Sequence, residues 1–259
     1  MRPRRARTVL VAIYPLWWRD VLRFVRSRSR VVGSVLTPLF FVAFLGSGFR
    51  TLEVPGVADV GYLQFLVPGI AGMTMLFTAS VSGLAILSDR EEGFLKEILV
   101  APVDRKAVVL GRTAGGATVA LLQSVLLIGA SIPLGFRPQE WWALPAAIPL
   151  LALLAVTFIG FGLALASRFG DSQGFSLVVQ FALFPLFFLS GALYPLANLP
   201  GPVQYLGYLN PLTYGVDALR AVLVGSSAYP LALDVGALSL SAVAMVLLGA
   251  ALFERTEAV

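Results

Sequence analysis

Few side chains in this sequence are able to do covalent or acid–base chemistry. The 259 residues contain neither His nor Cys, which excludes thiol nucleophiles, Ser-His and Cys-His pairs, disulfides and Cys/His metal sites. What remains is 14 Asp and Glu against 19 Lys and Arg. Two carboxylates can act together as general acid and base, but the loop acids Glu53, Asp59 and Glu140 read as solvated charges, and the apolar runs are read as free of paired carboxylates. Neither lysine, Lys96 or Lys106, stands in a Gly-x-x-x-x-Gly-Lys-Ser/Thr pattern, so the chain carries no P-loop of its own. An enzyme is not expected, and neither a cofactor nor a metal is expected in this chain.

The elements that hold these few charges belong to a membrane protein. Apolar residues make up 58% of the chain and charged residues 13%, against roughly half and a quarter in soluble domains. A membrane-crossing helix needs about 20 mainly apolar residues. Six such runs are expected, from Val31 to Phe49, Tyr62 to Leu87, Val108 to Leu134, Ala143 to Ala166, Phe175 to Tyr194 and Leu231 to Phe253. The fold class is therefore an all-α integral membrane protein of six transmembrane helices. Residues 1–259 are expected to form a single transmembrane domain, with 1–30 a cytoplasmic amphipathic N-terminus and 31–259 the six-span bundle.

Nine arginines fall in the first 30 residues, ahead of any long apolar run, and no cleaved signal is expected. With that end inside, sixteen basic residues lie on the cytoplasmic side and only Arg50, Arg137 and Arg220 outside. Both termini are then cytoplasmic in a bacterial or archaeal plasma membrane. The net charge of +5 follows from this asymmetry and does not call for a nucleic acid. Trp141 and Trp142 open the fourth span where aromatic rings favour the headgroup level.

Charge and apolarity are patterned in three places. Tyr14, Trp17, Val21 and Phe24 recur on one helical face and Arg19, Arg23, Arg26 and Arg30 on the other, the pattern of an interfacial helix among membrane lipids. Between the second and third spans, Ser88 and Glu91 fit a capping box, Asp89, Glu91 and Glu92 favour a helix N-terminus, and Pro102 ends the helix. Its ridge of Phe94, Leu95, Ile98 and Leu99 fits either the membrane surface or a protein partner. Between Ala192 and Gly225, prolines with Asn198, Asn210, Asp217 and Arg220 interrupt an apolar stretch. A re-entrant or interfacial helical pair is expected there, with Asp217 and Arg220 close enough to pair.

Three segments resemble the type 2 ABC exporter permeases, the family of drug-resistance, polysaccharide and nodulation-factor export subunits. They are Asp89-Arg90-Glu91-Glu92-Gly93-Phe94-Leu95-Lys96-Glu97-Ile98-Leu99-Val100-Ala101-Pro102-Val103, then Leu189-Ser190-Gly191-Ala192-Leu193-Tyr194-Pro195, then Leu209-Asn210-Pro211-Leu212-Thr213-Tyr214-Gly215-Val216-Asp217-Ala218-Leu219-Arg220. The resemblance implies that residues from Asp89 to Ala101 in the first form a cytoplasmic coupling helix docked on an ATPase subunit, with ATP and Mg held by that partner. It also implies two ATPases and a second permease copy, expected to form a homodimer.

The interior of the spans is expected to be free of charge, which argues against a proton-driven carrier and suits an amphiphilic cargo such as a drug, lipid or glycan-linked molecule. Phe40, Phe41, Phe44, Phe181, Phe184, Phe187 and Phe188 are candidates to line the pathway. Gly111 and Gly115 permit close helix approach, and Pro38, Pro68 and Pro185 are candidate hinges. A secondary transporter or passive channel is the alternative function.

Overall fold

A computed structural model describes residues 3–49, 61–91 and 105–256, and every regular element among them is a helix. The helices are α1 (Pro3–Arg26), α2 (Arg28–Gly48), α3 (Tyr62–Glu91), α4 (Arg105–Ser131), α5 (Ala143–Ala166), α6 (Ser172–Phe188), α7 (Gly201–Tyr208), α8 (Pro211–Val224) and α9 (Leu231–Thr256). A 3-10 turn, Leu196–Asn198, precedes α7. Five helices hold segments long and apolar enough to cross a membrane: Arg28–Gly48, Tyr62–Leu84, Gly111–Ser131, Ala143–Ala166 and Leu231–Leu252.

The remaining expected span, Phe175 to Tyr194, is shorter. α6 has 17 residues, about 26 Å at 1.5 Å per residue against a hydrocarbon core of about 30 Å. It stops at Phe188 because Gly191 takes a left-handed turn at φ 72° and the Ser190 hydroxyl accepts from the Ala192 amide at 3.2 Å. Between Ala192 and Gly225 lie two helices of 8 and 14 residues, each too short to cross.

α3 and α5 form the centre, with α9, α4, α8 and α6 packed around them. Their cores are leucine, isoleucine, valine, phenylalanine and alanine, Leu66, Ile70, Leu76, Leu151, Leu154 and Phe158 among the most deeply buried. Backbones come together at small residues. A Cβ on Gly83 of α3 would collide with the Gly162 carbonyl of α5, so this crossing needs hydrogen at that position.

The molecule has two distinct ends. Gln64 of α3 donates to the Gly135 carbonyl and accepts from the Arg137 amide, Gly46 lies against Leu63, and the Tyr62 hydroxyl donates to the Leu193 carbonyl at 3.2 Å. The start of α3 thus gathers the ends of α2, α4 and α6 at the end that carries Trp141 and Trp142. The opposite end carries α1, the end of α3 and the start of α4.

Two expectations are corrected here. Ser88 does not start a helix: α3 runs without a break through Ser88, Asp89 and Arg90 to Glu91, because the acidic and apolar residues there are as compatible with helix interior as with a first turn. The apolar helices are also not free of charge. Asp234 lies in the first turn of α9, wholly buried, and Arg112 is buried in α4. Asp234 sits in the first turn of its helix and Arg112 in the third turn of α4, and both are surrounded by neighbouring protein.

Candidate functional site

α8 is held at the tryptophan end by its own sequence. Asn210 is the N-cap, its side-chain oxygen accepting from the Leu212 amide at 3.1 Å, and Pro211 occupies the first helical position, where its missing N–H costs nothing. The Thr213 hydroxyl donates to the Gly207 carbonyl at 2.7 Å, and the Tyr214 hydroxyl to the Tyr208 carbonyl at 2.6 Å. Gly225 closes the helix at φ 74°, its amide donating to the Arg220 carbonyl at 3.1 Å. The Asn-Pro-Leu-Thr-Tyr run is thus a set of capping groups that bind α8 to the last residues of α7.

Asp217 and Arg220 do not pair, which corrects the expectation drawn from their spacing. Asp217 turns to the loop after α8, accepting from the Ala228 and Tyr229 amides at 2.9–3.0 Å. Arg220 turns to the bundle. Its Nε donates to the Phe65 carbonyl at 3.1 Å, and its Nη2 to the Gly191 and Ala192 carbonyls at 2.9 Å. The guanidinium carbon lies 3.5 Å from the Phe65 ring centroid, a cation–π contact. Burial lowers the Arg220 pKa to about 9, against the favourable charge of Asp217, which leaves the guanidinium charged at neutral pH. One side chain therefore joins α8, α3 and the turn after α6.

These groups border a cavity of about 240 Å³ lined by Asp217, Arg220, Gln204, Tyr208 and Tyr229, with Ser226 and Ser227 at its edge. Burial raises the pKa of Tyr229 to about 12, with Tyr208 adding to the effect. Asp234 lies close by. Among the described residues no N–H or O–H donor reaches either of its carboxyl oxygens, and its acidic neighbour is Asp217. The sequence reading missed Asp234 because one acid in the first turn of a long apolar run scarcely lowers its hydropathy.

At the opposite end, α1 packs along α4. A Cβ on Gly111 would press on the Ile13 carbonyl and on Leu16, and one on Gly115 would press on Asp20. The Trp17 indole donates to the Thr118 hydroxyl at 2.9 Å, Val21 and Phe24 are buried, and Arg112 approaches Asp20 at 3.8 Å, with Arg19 at 3.5 Å from the same carboxylate. Tyr14 is exposed and stacks on Trp18, and Arg23 and Arg26 are exposed. Protein therefore covers much of the ridge read as facing lipid.

The candidate coupling residues are only partly within view. Arg90 and Glu91 form the last turn of α3, while Glu92, Gly93, Phe94, Leu95, Lys96, Glu97, Ile98 and Leu99 lie outside the described residues. The phenylalanines fall into two groups. Phe40 and Phe44 stack on the exposed side of α2, with centroids 5.8 Å apart, and Phe184 and Phe188 stack on α6 at 6.5 Å. Phe187 is buried. Both helices flank α3. Pro38, Pro68 and Pro185 lie inside α2, α3 and α6.

Residues 11–224 match the family model described as ABC-2 type transporter. The chain is 30% identical over 252 residues to the inner membrane transport permease YadH of Escherichia coli (strain K12), covering 95% of both chains. It is 27% identical over 243 residues to nodulation protein J of Rhizobium meliloti (strain 1021), covering 93% of this chain and 92% of the other. A putative transport permease, ycf38 of Porphyra purpurea, is 28% identical over 218 residues, covering 83% and 74%.

Proposed function

The chain belongs to the ABC-2 type transporter family, and we propose that it is the permease subunit of an exporter driven by a separate ATPase. Family membership over most of the chain is the observation that carries this reading. Absence of a P-loop from the sequence agrees with it, since the chain then either takes its energy from elsewhere or uses none, and the first case is the exporter's. So does the position of the acidic stretch from Asp89 to Ala101. It joins α3, at the centre of the bundle, to α4, which packs against α3 and α1, so a push on this connection would reach three helices directly.

In this proposal α6, extended by the turn after it, is the sixth membrane-embedded helix, and the tryptophan end faces outward with both termini inside. Two permease copies and two ATPases form the assembly. ATP closes the ATPase pair, the coupling stretches move together, and an amphiphilic cargo passes outward by alternating access. The buried Asp234 removes the argument that charge-free spans exclude a proton-driven carrier, and family membership is the ground that remains.

The test is co-expression with the candidate ATPase, comparing complex recovery and ATP turnover for the native chain and the Glu92→Arg, Leu95→Asp double variant. Dissociation or uncoupled turnover with a folded permease supports the docking role. Unchanged assembly and turnover would sink it and favour a carrier or channel.

A further inference from the structure

The cavity at the tryptophan end has charge of both signs in its walls and too little room for a whole amphiphile. At about 240 Å³ it lies below the roughly 300–1,000 Å³ usual for drug-sized ligands. A head group would fit. Arg220 is buried and charged, and its Nε and Nη2 are taken up by carbonyls. No hydrogen bond to its Nη1 is present among the described residues. Buried charge ordinarily finds a counter-charge in contact, and here Asp217 acts on Arg220 only through space, its oxygens being bound by the loop amides.

The other polar walls are equally uncommitted. Among the described residues, the side chains of Gln204, Ser226 and Ser227 make no hydrogen bond within the protein, although all three line the cavity. They offer donors for oxyanion oxygens beside the guanidinium. A bare anion would also meet the Asp217 carboxylate, and a bare cation would meet Arg220. A molecule carrying both charges satisfies both walls. Its ammonium would have the negative charge of the Asp217 carboxylate, with Asp234 beside it, and the rings of Tyr208 and Tyr229, which lie 6.5 Å apart edge to face.

We propose that this cavity binds a small zwitterion bearing a phosphate and an ammonium group, the chemistry of a phosphoethanolamine head group. The phosphate sits against Arg220 Nη1, Gln204 and the two serines, and the ammonium against Asp217 and the tyrosines. The ligand comes either from a membrane lipid or as the free head group. Only the outward facing of the cavity rests on the proposed topology; binding itself does not.

Calorimetry on the full chain in neutral detergent would compare glycerophosphoethanolamine, glycerol 3-phosphate and ethanolamine. The zwitterion is expected to bind at least about tenfold more tightly than either half, since each half leaves one charged wall unpaired. The Gln204→Leu, Ser227→Ala double variant is expected to weaken that binding about fivefold or more, with the unfolding temperature of the unliganded protein unchanged because neither side chain has a partner to lose. A second arm uses native mass spectrometry from nanodiscs of phosphatidylethanolamine or phosphatidylglycerol. Selective retention of the former, lost in the variant, identifies a lipid source. Binding of the soluble zwitterion without such retention identifies a free one. The proposal is overturned if glycerol 3-phosphate binds as tightly as the zwitterion, if the variant binds like the native chain, or if neither soluble nor lipid-borne zwitterion binds. Neither arm needs an ATPase, so failure here leaves the exporter reading standing, and the reverse holds too.

Discussion

Replacing Arg220 with methionine keeps most of the side-chain volume and removes the guanidinium. Phe65 lies in the opening turn of α3, where its carbonyl retains a helical acceptor role, so the direct loss falls on Gly191 and Ala192. Among the described residues their carbonyls receive only Arg220 Nη2. An orphaned buried carbonyl costs about 1–3 kcal/mol, so two cost about 2–6 kcal/mol. Release of a buried charge and entry of water from the adjoining cavity offset part of that, leaving about 3 kcal/mol net destabilisation. For a chain of this size each kcal/mol shifts the unfolding midpoint by roughly 2–4 °C, so Arg220→Met is expected to melt about 6–12 °C lower. Thermal unfolding of the purified protein in one detergent, followed by circular dichroism, reads this directly. Arg220→Lys should recover less than half, since a single ammonium lacks the guanidinium fork. Melting of Arg220→Met at the native temperature would refute the idea that this side chain holds the turn after α6.

Further outcomes follow from the same contacts. Asn210→Ala removes both the α8 cap and the bond from its Nδ2 to the Leu186 carbonyl and should cost about 2–4 kcal/mol, read in the same unfolding assay. Gly115→Leu drives a side chain into Asp20 and should cost about 1–3 kcal/mol, with faster proteolysis of α1. Tyr229 has a folded pKa raised from 10.0 to about 12, so its neutral form is favoured by folding. That contribution is complete below pH 10 and lost as pH rises toward 12; Tyr229→Phe should flatten the stability profile over this window.

Much of the fold could be read from the chain because long apolar runs and proline punctuation are local signals. The α8 helix is the clearest case, with Asn210-Pro211 and Gly225 marking its two ends. Where tertiary contact decides, local pattern was insufficient. Spacing brought Asp217 and Arg220 together on paper, yet each found backbone partners on other elements. Amphipathicity showed that Trp17, Val21 and Phe24 need cover but not that α4 would provide it. Asp234 was submerged in the hydropathy of α9, and the burial that makes it notable is created by packing against α8. The coupling reading rests on residues outside the described structure and stays with the experiment on Glu92 and Leu95.

The bonds of Arg220 also set an order of events during synthesis. Its partner on α3, Phe65, precedes it by 155 residues, and the turn it holds precedes it by 28 and 29. On a ribosome adding about 5–20 residues per second, α3 waits on the order of ten seconds or more for the side chain that will bind it. Until then the carbonyls of Gly191 and Ala192 await their donor in the nascent chain. The tryptophan end therefore stays incomplete until α8 has emerged, and chains halted before α8 should be exposed to quality-control proteases there.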